Sequence, residues 1–195
     1  MAATAASKAW PKVATLEAEA LPGLLAAMNK ASGIGQNWLR AAVDTIVQRT
    51  LKEGKKLPIK ELNAFLANTK RIPASRRLAF ELIQKASPKR AAKLVPGFID
   101  DPAPELRRDA VALIIEDALA ESNEKSACAL YEKALYAARD VDQIEATAKA
   151  LLFEDETHSP LQLFRQISAN LNQLLSSLAK ELASNLALWD THSKS

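Results

Sequence analysis

Apolar residues recur along this chain at intervals of three and four, from Leu21 to Trp189, with polar residues between them. Such spacing gathers side chains on one face of a helix, whereas a strand would alternate with period two. Helices are therefore predicted almost throughout. Three segments share one spelling: Arg40-Ala-Ala-Val-Asp-Thr-Ile46, Arg77-Leu-Ala-Phe-Glu-Leu-Ile83 and Arg108-Asp-Ala-Val-Ala-Leu-Ile114. They begin 37 and then 31 residues apart, the spacing of a repeated helical hairpin. In each copy the small alanine permits close helix approach. The Val or Phe beside it, and the Ile three further on, continue the apolar stripe. An apolar partner helix precedes each copy: Leu21 to Met28, Ile59 to Leu66 and Ala91 to Ile99. Their paired core positions are Leu24 and Leu25, Phe65 and Leu66, and Phe98 and Ile99.

Breakers separate the two helices of each pair: Ser32-Gly-Ile-Gly35, Thr69-Lys-Arg-Ile-Pro73 and Asp100-Asp-Pro-Ala-Pro104. Proline in a first helical turn wastes no backbone donor, and Ser87-Pro88 reads as a cap followed by such a proline. The resulting hairpins span about 13–53, 58–86 and 88–121. A fourth hairpin, 123–153, has a different spelling: Ala127, Tyr131, Ala134 and Leu135 share one face, and Asp140 caps a helix through Ala150. After a solvated linker at 154–159, residues 160–189 form an amphipathic helix on the order of 40 Å long. Its stripe is Phe164, Ile167, Leu171, Leu174, Leu175, Leu178, Leu182, Leu186 and Trp189, against Ser, Asn and Gln. It is expected to cap the hairpin core, with a partner helix or self-association through 160–189 as the alternative. Residues 1–12 and 190–195 are expected to be flexible tails, and Trp38 to fill the core.

The third hairpin carries a family resemblance. Leu94-Val-Pro-Gly-Phe-Ile-Asp-Asp-Pro-Ala-Pro-Glu-Leu-Arg-Arg-Asp-Ala-Val111 resembles the HEAT repeat: a proline in the first helix, an Asp-Pro turn, and a second helix opening with Arg and Ala-Val. The resemblance implies an all-α, right-handed α-solenoid of antiparallel hairpins. It also implies that Asp101 and Arg107 link neighbouring repeats. HEAT segments of this kind occur as modules of larger bacterial proteins. The helix carrying Ala127, Tyr131, Ala134 and Leu135 is similar to the second helix of a tetratricopeptide repeat, and both kinds of hairpin stack against neighbours only.

Composition agrees with helices: 195 residues that are 48% hydrophobic can bury a core, while aromatics are 5% and glycines number 5. The lone Cys128 has no internal disulfide partner and reads as a small buried apolar side chain. Every apolar helix is interrupted by charge or amide, so no membrane span is expected. Met1 to Lys12 lacks the apolar core of a signal peptide, which makes the cytoplasm the default compartment.

Charge narrows the picture further. The formal net charge is only +3, but residues 52 to 93 hold 12 Lys or Arg against 3 acids, a local +9, while residues 100 to 156 hold 15 acids against 6 bases, a local −9. Lys52, Lys55, Lys56 and Lys60 open the basic stretch. Lys70, Arg71, Arg76, Arg77, Lys85, Lys89, Arg90 and Lys93 continue it at the ends of successive helices, where stacking would bring them to one or both rims as an anion or nucleic-acid strip. Interleaved aromatics for base stacking are missing.

Catalytic signals are sparse. The only histidines are His158, in the linker, and His192, near the end, so neither a His–Cys metal set nor a nucleophilic triad is spelled out, and no cofactor is expected. Ser32-Gly-Ile-Gly35 lacks the lysine of a phosphate loop. Glu116-Asp117 and Asp100-Asp101 are where a carboxylate dyad would be sought, although both read as solvated. The preferred expectation is a non-catalytic scaffold gripping a protein or peptide; the alternative is a nucleic-acid binder using residues 52–93.

Overall fold

The apolar stripes of the three related segments become the buried faces of three helices. The computed structural model describes residues 10–13, 15–154, 167–173 and 175–180; every regular element among them is helical and none is a strand, so the chain is all-α. The elements are α1 (Leu21–Ala27), α2 (Gly33–Lys52), α3 (Ile59–Ala67), α4 (Pro73–Ala86), α5 (Pro88–Leu94), α6 (Pro104–Ala120), α7 (Glu124–Ala137) and α8 (Val141–Glu154). A further helical stretch, α9, covers 167–173 and 175–180. None of these helices is long and apolar enough to cross a membrane.

The chain divides into two compact units, Met1–Leu106 and Arg107–Ser195. The division falls inside α6.

In the first unit α3 and α4 pack along each other across the five-residue turn 68–72, which makes them antiparallel, and α1 packs against α2, α3 and α4. The shared spelling fills this core: Ala42, Val43 and Ile46 are fully buried, as are Ala79 and Ile83, with Phe80 almost so. Each large apolar side chain so buried contributes roughly 1.5–3 kcal/mol. Phe80 stands edge-on to Phe98, ring centres 5.4 Å apart. Ser32-Gly-Ile-Gly35 is the start of α2, with the Ser32 hydroxyl accepting the Gly35 N–H at 3.4 Å. Just after α2, Gly54 takes a left-handed φ of 69° that other residues adopt only with strain.

Several boundaries differ from expectation. The partner helix expected over Ala91–Ile99 starts earlier, at Pro88, and gives way at Val95 to a 3-10 turn through Phe98. Pro96 has no N–H with which to continue the α-helical ladder. Helix α8 runs to Glu154, past Ala150, so the expected linker 154–159 loses its first residue to a helix. Trp10, expected in a flexible tail, sits in a helical turn, its ring edge-on to Trp38 at 5.6 Å. Trp38 is half-buried. The remainder of the linker, both histidines, residues 1–9 and 190–195, and the two ends of the predicted 160–189 helix lie outside the described residues.

In the second unit α7 and α8 pack across the short turn 138–140. Ala127, Tyr131, Ala134 and Leu135 are all buried, as the one-face spacing predicts, and Cys128 is buried among them. Ala110, Val111 and Ile114 of α6 repeat the buried pattern of the first two copies. Asn123 caps α7, its side-chain oxygen accepting the Ser126 N–H at 3.0 Å. The buried Asn170 of α9 donates its amide to the Leu135 carbonyl.

Candidate functional site

Polar side chains tie successive hairpin turns together and fix what the surface helices present. Asn29, from the turn after α1, accepts the Ile72 N–H at 3.2 Å and the Ser75 hydroxyl at 3.3 Å, so a remote side chain serves the N-terminus of α4. Ile72, at the cap position, has no side-chain acceptor of its own. From the first turn of α4, Arg76 reaches Asp101 with two hydrogen bonds of 2.6 Å each, and its Nε donates to the Leu66 carbonyl at 2.8 Å. Asp101 also accepts the Ala103 N–H at 2.8 Å, just ahead of α6. Both charges are buried, so this bidentate pair keeps its strength out of water.

In the second unit Arg108 does the corresponding work at the surface. It donates to Asp142 at 2.8 Å and lies 3.4 Å from Asp140, while Gln143 donates to the Arg108 carbonyl at 2.9 Å. The hydrogen bond from Arg108 and its positive charge hold the Asp142 carboxyl at about 2, below the ordinary value of 3.8. The same pairing pushes the Arg108 guanidinium up. The arginine shared by the three repeat segments is ion-paired in every copy: Arg40 and Arg77 both meet Glu81, at 2.9 and 3.3 Å, and Arg108 meets Asp142.

Several uncompensated cations share one end of the first unit. Because α3 and α4 are antiparallel, the N-terminus of α3 and the C-terminus of α4 share an end, and α5 starts there after the single residue Ser87. That end gathers Lys60 from α3, Lys85 from α4, and Lys89 and Arg90 from α5, with Lys56 in the loop entering α3 and Lys52 closing α2. All six are exposed and have no ion-pair partner among the described residues. Lys93 lies one turn beyond Lys89 on α5 and is likewise exposed and unpaired among them. Lys55 belongs to the same rim but is engaged, 2.8 Å from Glu53 and 3.6 Å from Glu17. Those contacts push Lys55 up and hold the Glu53 carboxyl down. The acids at this end are thus Glu17, Glu53 and Glu61.

The predicted strip is therefore split. Arg76 does not belong to the surface: it is 2% exposed, because its place on α4 lies on the buried stripe and Asp101 compensates its charge. Arg71 is half-buried with its guanidinium 5.1 Å over the Phe65 ring, and Arg77 is half-buried between Glu81 and the Phe80 ring. Lys70 is exposed but sits in the turn after α3, at the opposite end from Lys85. Lys85, Lys89, Arg90 and Lys93 stay together across the α4–α5 corner. Of the predicted inter-repeat pair, Asp101 is bound by Arg76 of the preceding hairpin, a partner the sequence reading did not name. Arg107 is half-buried on α6. Phase was the missed signal: Arg76 precedes Ala79, Phe80 and Ile83 by 3, 4 and 7 positions, as Arg107 precedes Ala110, Val111 and Ile114.

Chemically the rim offers point charges on long stems and no acceptor set. No group of three or more His, Cys, Asp and Glu side chains suited to a metal ion occurs among the described residues. Of the carboxylate pairs, both oxygens of Asp101 face Arg76, and Asp100, Glu116 and Asp117 are exposed. No family model, curated protein or solved structure matches the chain.

Proposed function

We propose that the chain is a non-catalytic binding module whose hairpins stack as a HEAT-like, right-handed α-solenoid, and whose first unit takes a nucleic-acid backbone along the rim. The turn-to-turn links through Asn29, Arg76 and Arg108 support stacking of successive hairpins. The observation that carries the ligand is the contrast between arginines paired elsewhere and the exposed, unpaired Lys60, Lys85, Lys89 and Arg90. Gathering more cations than acids at one end is unfavourable in the free protein, and a polyanion relieves it while releasing its own counterions. Phe65, Phe80 and Phe98 are buried and offer no stacking platform, which supports recognition of phosphates rather than bases.

The test is fluorescence anisotropy of a mixed-sequence DNA duplex over a salt series. Affinity should fall linearly in log–log form, and each rim cation removed should lower the slope by about 0.9. The chain with Lys85→Glu, Lys89→Glu and Arg90→Glu should lose binding while keeping its helical circular dichroism. No binding at low salt, or binding that the triple variant leaves intact, sinks the reading. Polyglutamate is the competitor that separates a nucleic acid from an acidic protein segment: if polyglutamate binds and DNA does not, the rim belongs to a protein scaffold.

A further inference from the structure

Taking the rim as a seat for nucleic-acid phosphates, we infer that Glu17 is its built-in competitor, a carboxylate held beside the rim cations that lowers their affinity for a polyanion. Glu17 precedes α1, far ahead of Lys55 in sequence, yet its carboxylate lies 3.6 Å from the Lys55 ammonium. The backbone on both sides of it is fastened. Arg49 of α2 donates to the Leu16 carbonyl, and the buried Ala18 opens a 3-10 turn, Ala18–Ala20, that packs on α1 and α2. Between these two anchors Glu17 is extended backbone, and its side chain makes no capping hydrogen bond to the turn. The fold, more than the side chain, sets where this charge sits.

Lys55 meets two carboxylates, Glu17 and, at 2.8 Å, Glu53. One ammonium balances only one of them. The three groups together therefore carry a negative charge in excess, while Lys52, Lys56 and Lys60 around them are exposed and unpaired among the described residues. Glu53 also belongs to the end of α2, where its N–H reaches the Arg49 carbonyl, so the acid that can be altered without touching a helix end is Glu17. A negative charge a few ångströms from a bound phosphate weakens its binding by about two- to fivefold at low salt. Salt screens that repulsion over roughly 10 Å at 0.1 M.

Anisotropy titrations of the DNA duplex between about 50 and about 200 mM salt test this in the full chain. Glu17→Gln should bind about two- to fivefold tighter than the unaltered chain at the low-salt end, with the gain shrinking as salt rises. Glu17→Lys should tighten binding further. Both should keep their helical circular dichroism, since Glu17 is exposed. Glu19→Gln removes the same charge from a neighbouring exposed acid that has no ion pair among the described residues, and should change affinity less. Equal gains from the two glutamines would mean that net charge alone is at work, which overturns the inference. So would a Glu17→Gln chain no tighter than an unaltered chain that does bind, and that outcome leaves the rim standing as a phosphate seat. Absence of DNA binding by every chain removes the rim reading and the competitor with it.

Discussion

Arg76 and Arg77 are neighbours in sequence yet about 100° apart around α4. That rotation alone sends one to a buried carboxylate and the other to the surface acid Glu81. A buried charge left without its partner is costly, so Arg76→Met or Asp101→Leu alone should destabilise the chain by roughly 3–5 kcal/mol in urea unfolding. Joining the two substitutions should recover most of that loss; two single changes that simply add would show the pair is not coupled. Sequence reasoning reached Asp101 through the Asp-Pro turn and reached Arg76 as one cation among several. It did not join them, because charge composition is silent on direction. Extending the apolar stripe of Ala79, Phe80 and Ile83 back by one turn would have turned Arg76 inward.

The helices were more legible than their links. A period of 3.6 is set by backbone geometry, and the buried positions of the three related segments fall where that period puts them. Where α5 ends was not readable from apolar spacing, since Phe98 and Ile99 continue the stripe while Pro96 interrupts the hydrogen bonds beneath it. The alanine common to the segments, Ala42, Ala79 and Ala110, has at most 1% of its surface exposed. Ala79→Leu should therefore overpack the α4 interface and cost on the order of 1–3 kcal/mol. The same change at Ala42 and at Ala110 should cost a similar amount, by chemical denaturation. A neutral result at any one would mean that helix does not need the close approach its spelling implies.

At the scale of the whole chain, the opposed charge of residues 52–93 and 100–156 was plain from the sequence, whereas the division at Leu106 was not. A repeat period describes neighbours and carries no mark where one compact unit ends. The apolar stripe of Leu171, Leu175 and Leu178 was legible, but its exposure was not. Connectivity within the first unit has one further outcome. Glu53, Gly54, Lys55 and Lys56 form an exposed irregular stretch, while the α4–α5 corner has only Ser87 between two helices. Trypsin needs slack backbone more than it needs lysine. Of these two segments trypsin should cut the first, after Lys55 or Lys56, and spare Lys85, Lys89 and Arg90, as mass spectrometry of timed digests would show. Because α1 packs against α2, α3 and α4, the severed pieces should still elute together, as a nicked molecule held by its interior.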